Sequence, residues 1–228
     1  LADNGFANLD AVPTPALKEI LLNHVVAGTN LSTGLSTGYV KTLGKGSAST
    51  TNTLSMYINT SNGVRLNGVS SVTLADIVAS NGVIHRVDAV IGLPTVVTHA
   101  AANANFSTLV SVLDAQGLVS TLDGTTSSPF TVFAPLNSAF DTATLSLYGG
   151  LTSAQKTAVL TYHVVAGANV LSTGIPTTPI TTLESGTFTI AGTVITDEMN
   201  RATNIVAVDV QCSNGVVHAI DQVLLPML

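Results

Sequence analysis

The chain has no tryptophan, and its aromatic residues are four tyrosines and six phenylalanines among 228 positions. A core without indoles must be assembled from Val, Leu, Ile and Ala, and apolar types do make up 46% of the residues. There is a single cysteine, Cys212, so no disulfide can form within the chain. Its nearest charged neighbour in sequence is Asp209, whereas a reactive thiolate needs cations around it; Cys212 reads as a buried strand thiol. Charged residues are only 9% of the total. Residues 1–94 carry five acids and five bases, while residues 95–228 carry eight acids against Lys156 and Arg201. With no basic cluster in either part, nucleic acid and anionic membrane surfaces are excluded as partners, since both need phosphates neutralised. No apolar run reaches the roughly 18–20 residues of a membrane helix, so membrane insertion is excluded as well. The chain starts at Leu1 without a basic-then-apolar leader, as expected where a signal sequence has been removed or left out.

What is present is a duplication. LNHVVAGTNLSTG (residues 22–34) returns as TYHVVAGANVLSTG (161–174), and NGVIHRVDAVIGLP (81–94) returns as NGVVHAIDQVLLP (214–226). His24 matches His163 at an offset of 139, and His85 matches His218 at an offset of 133. Ordered blocks recurring at nearly one offset mark two copies of one domain, and the period is far too long for a solenoid. The copies are expected at 1–94 and 95–228, joined at Leu93-Pro94-Thr95.

The run TVFAPLNSAF (131–140), then YHVVAG (162–167), then SNGVVHAIDQVLLP (213–226) resembles the fasciclin-type domain, a secreted or surface-displayed module often found in tandem. The second copy carries all three signatures; the first carries the latter two, with Asn23 in place of Tyr162. The resemblance implies an α+β fold: in each copy a β-sandwich or wedge with packed helices. The residue pattern agrees. Phe106, Leu109, Val110 and Leu113 fall at helical spacing, Ser153–His163 and Pro15–Leu22 read as helices, and Asn137 with Ser138 can cap a turn. Short Thr/Val/Ile runs bounded by Gly, Asn and Pro follow in both copies and read as antiparallel strands.

Four of the five histidines occupy repeated positions. The paired histidines are 61 residues apart in one copy and 55 in the other, so no local metal motif exists. His24, His85 and His218 read as core histidines satisfied by neighbouring polar groups, with no metal or cofactor. The resemblance implies a structural role for Asn137 too, packed against His163, and an adhesion motif at Tyr162 and His163. Nothing in the motifs joins a nucleophile to a positioned base, and Asp197-Glu198 reads as part of a solvated turn. Asn30, Asn59 and Asn105 stand in N-x-[ST] sequons, which matter where the source glycosylates.

The expected function is therefore a secreted or cell-surface adhesion module without catalysis, located outside the cell or in a bacterial periplasm. Its expected partner is a cell-surface or matrix protein or glycan. The alternative is a surface binding module for a glycan, a lipid or a small apolar ligand held between helices and sheet. LADNGF (1–6) also aligns with PLNSAF (135–140), placing Asp3 opposite Asn137. In the second copy 42 residues, 95–136, precede that point, against two in the first. The first copy is thus expected to lack a helical region and the strand matching TVFA, through clipping or processing, the alternative being a naturally short variant that closes its own sheet. Its gap would be filled by a retained peptide, a neighbouring molecule's strand, or a rearranged loop such as Gly44–Thr53.

Overall fold

The computed structural model describes Asn8 and residues 11–228, so the alignment of Asp3 with Asn137 lies outside the described residues. The fold is α+β, and the chain divides into two compact units: residues up to Asn103 together with 211–213, and residues 104–210 together with 214–228.

In unit 1, α1 (Thr14–Asn23) begins after Pro13, whose fixed φ suits a helix start, and ends at His24. A short 3₁₀ turn at Ser32–Gly34 leads into β1 (Gly38–Lys45). Next come β2 (Thr53–Asn59), β3 (Arg65–Leu66), β4 (Ser70–Ala79) and β5 (Gly82–Val87). These five make an antiparallel meander in sequence order, with β5 at one edge among the described residues. Gly44, Lys45 and Thr53 belong to β1 and β2, so the connection spans only residues 46–52. The helix α2 (Val96–Ala102) completes the unit, opened by a capping box in which Thr95 and Thr98 bond each other's backbone.

In unit 2 the helical region is α3 (Ser107–Ala115) and α4 (Val119–Asp123), with Phe106, Leu109 and Leu113 buried and Val110 half-buried. The strand β6 (Phe130–Pro135) is buried at all six positions. Asp141, not Asn137, caps α5 (Thr142–Gly150), accepting from Thr144 N. Thr152, one residue ahead of Ser153, caps α6 (Ser153–Tyr162) with Gln155 as its reciprocal partner. Then follow β7 (Val164–Ala166), β8 (Ile180–Thr181), β9 (Thr187–Ala191), β10 (Val194–Thr196), β11 (Ala202–Cys212) and β12 (Gly215–Ile220). The sheet runs β7-β6-β12-β11-β10-β9-β8. Within it β6 lies parallel to β12 and antiparallel to β7. Phe133, Tyr162, Phe188, Ile195, Ile220 and Leu224 anchor the core on one face of this sheet.

Candidate functional site

The repeated histidines are fixed by backbone groups, and the two copies do it identically. His163 ends α6, where its Nδ1 lies 2.7 Å from Val159 O and its Nε2 accepts from Leu224 N at 2.8 Å. His24 ends α1 with Nδ1 2.7 Å from Ile20 O and Nε2 accepting from Ile91 N at 2.9 Å. A carbonyl can only accept, so Nδ1 must carry the proton and the ring is neutral. Its one lone pair is already engaged, which leaves nothing for a metal. Burial pushes His163 down to about 4, because a charged ring there would lose its water.

The second pair has the opposite tautomer. His218 Nε2 donates to Val170 O at 2.9 Å and Nδ1 accepts from Asp209 N at 3.4 Å; His85 repeats this with Asn30 O and Asp76 N. Asp76 and Asp209 both have positive φ, at 60° and 64°, which aims each carboxylate at the 3₁₀ turn. There Ser172 donates from N at 2.8 Å and from Oγ at 2.6 Å to Asp209, and Ser32 does the same to Asp76. These hydrogen bonds lower the pKa of Asp76 from its ordinary value. Ser, Asp and His thus meet in each copy, yet not as a catalytic triad. The hydroxyl proton points to the carboxylate, and both imidazole nitrogens are engaged with backbone groups, so the imidazole is not placed to take it as it would be in a triad. The serine and aspartate were missed from sequence; their offset of 133 between Asp76 and Asp209 was the available signal.

Gly34-Leu35-Ser36-Thr37-Gly38 has G-x-S-x-G spacing, easily overlooked in a Ser/Thr/Gly tract. It follows a 3₁₀ turn and enters β1, the reverse of the strand-to-helix elbow that exposes a nucleophile.

Tyr162 is 0% exposed and His163 is 3% exposed. The phenol donates to Thr187 O at 2.6 Å and accepts from Glu198 N at 3.1 Å. In unit 1 Asn23 takes this position, also 0% exposed, donating to Gly92 O and accepting from Thr42 Oγ1. His218 is fully buried, whereas His24, His85 and Asn137 are half-buried. Asn137 accepts from Thr108 N and donates to Ala104 O and Ser107 Oγ; its side chain makes no hydrogen bond to His163, whose two ring nitrogens are taken. Asp197 is not in a solvated turn. It is buried, its Oδ2 accepts from Arg201 Nε at 3.0 Å and from a terminal guanidinium nitrogen at 2.7 Å, and the carboxylate also accepts from the backbone of Met199, Arg201 and Leu225.

His99 on α2 is 1% exposed, against the edge of Tyr39. Neither ring nitrogen makes a hydrogen bond of normal geometry, and burial lowers it to about 3. Cys212 is fully buried, and burial raises its thiol pKa. Among the described residues no group of three His, Cys, Asp or Glu side chains is arranged to hold a metal, and no helix is long and apolar enough to cross a membrane.

Unit 1 contains a cavity of about 420 Å³. Its walls come from the segment after α1 (His24, Val26), the sheet face (Val40, Met56, Val72) and β5 with its continuation (Val83, His85, Val87, Ile91).

Comparisons with known proteins bear on these two repeats together. The Fasciclin domain family model matches residues 2–94 and again 104–226. Protein sll1483 of Synechocystis sp. is 38% identical over 138 residues, which is 58% of this chain and 73% of that one. Immunogenic protein MPT70 of Mycobacterium tuberculosis is 35% identical over 56% of this chain and 66% of its own. Cell surface glycolipoprotein MPB83 of Mycobacterium bovis is 36% identical over 58% and 60%. Among solved structures, a FAS1 domain pair from the insect cell adhesion molecule fasciclin I superposes with a TM-score of 0.55 at 20% identity, covering 93% of this chain and 80% of that one. That likeness shares the fold. With the family model covering both repeats, the chain belongs to the fasciclin domain family, as a tandem pair.

Proposed function

We propose that this protein is a secreted or cell-surface adhesion and interaction module without catalytic activity. It works outside the cell or, in a bacterium, in the periplasm, and its partner is a cell-surface or matrix protein or glycan. The observation that carries this reading is the tandem of fasciclin domains, in a chain whose relatives include one named a cell surface glycolipoprotein. The site supports it, since every Ser–Asp–His set is spent on holding backbone. Surface composition points the same way: with 9% charged residues, polarity rests on hydroxyl and amide groups, suited to hydrogen-bonded recognition. The long strand in each copy also exposes apolar side chains, Leu74 and Val78 on β4 and Val206 and Val208 on β11. In this reading Tyr162 and His163 act from inside, by fixing the 164–174 segment, and exposed neighbours make the contact. The test is attachment of cells or matrix to surfaces coated with the protein. Attachment above a blank surface is expected, and attachment equal to the blank overturns the reading.

A further inference from the structure

Four histidines have both ring nitrogens engaged by backbone groups, and the fifth, His99, has neither. It sits mid-way along α2 with its ring edge-on to Tyr39 at 5.4 Å. The backbone of Ser55 and of Gln211 lies alongside and would favour a proton on the ring, but outside normal hydrogen-bond geometry, and burial outweighs both. The Lys41 ammonium on β1 opposes a second positive charge there. The other titratable groups of this cluster are Tyr39 on β1, Tyr57 on β2 and Cys212 in the 211–213 segment of unit 1. Burial pushes all three upward, so none of them changes charge in mild acid. An imidazole sealed from water without a partner is tolerated only while it is neutral.

Seven residues are too few for a helix to persist alone, so α2 is held by what it packs on. Val96, His99 and Ala100 are its buried side chains, and Ala102 lies so close that a Cβ on Gly68 would fall 3.1 Å from its Cα. Ahead of the helix Ser213 fixes the chain, donating from N to Pro94 O at 2.6 Å and from Oγ to Leu93 O at 3.5 Å. Behind it Asn103 accepts from the Tyr57 hydroxyl and donates to the Tyr39 hydroxyl, both at 3.3 Å. None of these bonds belongs to the β1–β5 ladder, so α2 can come away with the five-stranded sheet intact.

We propose that α2 is an acid-released strap over Tyr39 and Tyr57, with His99 as its trigger. The ring can take up a proton only by reaching water, and the helix lifts with it while the sheet beneath stays folded. Release breaks the two Asn103 hydrogen bonds and uncovers the tyrosine pair, whose rings pack 4.9 Å apart. The bistable element is the helix, and the charge that biases it is the imidazolium. The inference rests on unit 1 alone and stands apart from the adhesion reading.

The test is hydrogen exchange on the full 228-residue chain, with each rate corrected for its intrinsic pH dependence. The ring titrates near 6.5 when released and near 3 when held. The folded value is the lower one, so opening is favoured as pH falls below 6.5. Between pH 7.5 and 4.5 the open fraction at amides 99–103 should rise about ninetyfold, while amides in β1 and β2 keep their protection. His99→Phe removes the titration and sacrifices no hydrogen bond of normal geometry, so its amides 99–103 should open equally at both pH values. His99→Gln, also without a titrating group, serves the same comparison should phenylalanine not fit. A rise below about threefold in the unaltered chain overturns the proposal. So does an equal rise in the non-titrating variants, or a rise shared by β1 and β2, which would mark unfolding of the whole unit.

Discussion

Lowering the pH from 7.5 to 4.5 should remove about 2.5 kcal/mol of stability from unit 2 through His163 alone. The ring is neutral in the fold, with Nδ1–H on Val159 O and Nε2 receiving Leu224 N–H. Protonation would set a second N–H against the Leu224 N–H, in a position 3% exposed. Burial therefore holds the folded pKa near 4, against 6.5 for the free side chain. Because the folded value is the lower one, the unfolded chain takes up the proton first. The contribution is complete above about pH 6.5 and declines as pH falls toward 4, where both states carry the proton. At about 1.36 kcal/mol per pH unit, most of that decline is spent by pH 4.5, which gives the figure above. His163→Gln removes the titration and leaves at least one backbone partner without a mate, costing about 1–3 kcal/mol at pH 7.5. Urea unfolding of both proteins, followed by far-ultraviolet circular dichroism across pH 4.5–7.5, supplies the comparison. His99 and His218 titrate in both proteins, so the difference isolates His163. The stability gap should shrink toward zero on acidification; a gap that stays constant over this range refutes the assignment.

Asp197→Ala should cost unit 2 about 3–5 kcal/mol, chiefly because it strips the acceptor from three backbone N–H groups, and with them the carboxylate oxygen that two Arg201 nitrogens share. Urea midpoints measure it, and a loss under about 1 kcal/mol would contradict the burial of this carboxylate and its backbone partners. Cys212 should ignore an aromatic disulfide reagent in native protein at pH 8 and consume one equivalent after denaturation, because the thiol is fully buried and its pKa is raised. Rapid reaction in the native state would refute that.

How much of this was readable from sequence depended on whether the information was local. The strand FTVFAP appeared where expected, as β6, because six consecutive apolar or β-favouring residues follow a proline. The start of α6 at Ser153 was readable as well, and its cap is Thr152 because Gln155 returns the hydrogen bond. The fate of Asp197 was not legible. TDEMN has a turn's composition, and only the fold brings Leu225 N, 28 residues away, onto that carboxylate. The histidines show the limit most plainly. His85 and His218 occupy the same motif and bond the same backbone positions, yet one is half-buried and the other fully buried. That difference is written nowhere in VIHRV or VVHAI. It depends on the neighbouring strand: β6 lies alongside β12, whereas among the described residues β5 has β4 as its strand neighbour, so matching segments are buried to different extents in the two units.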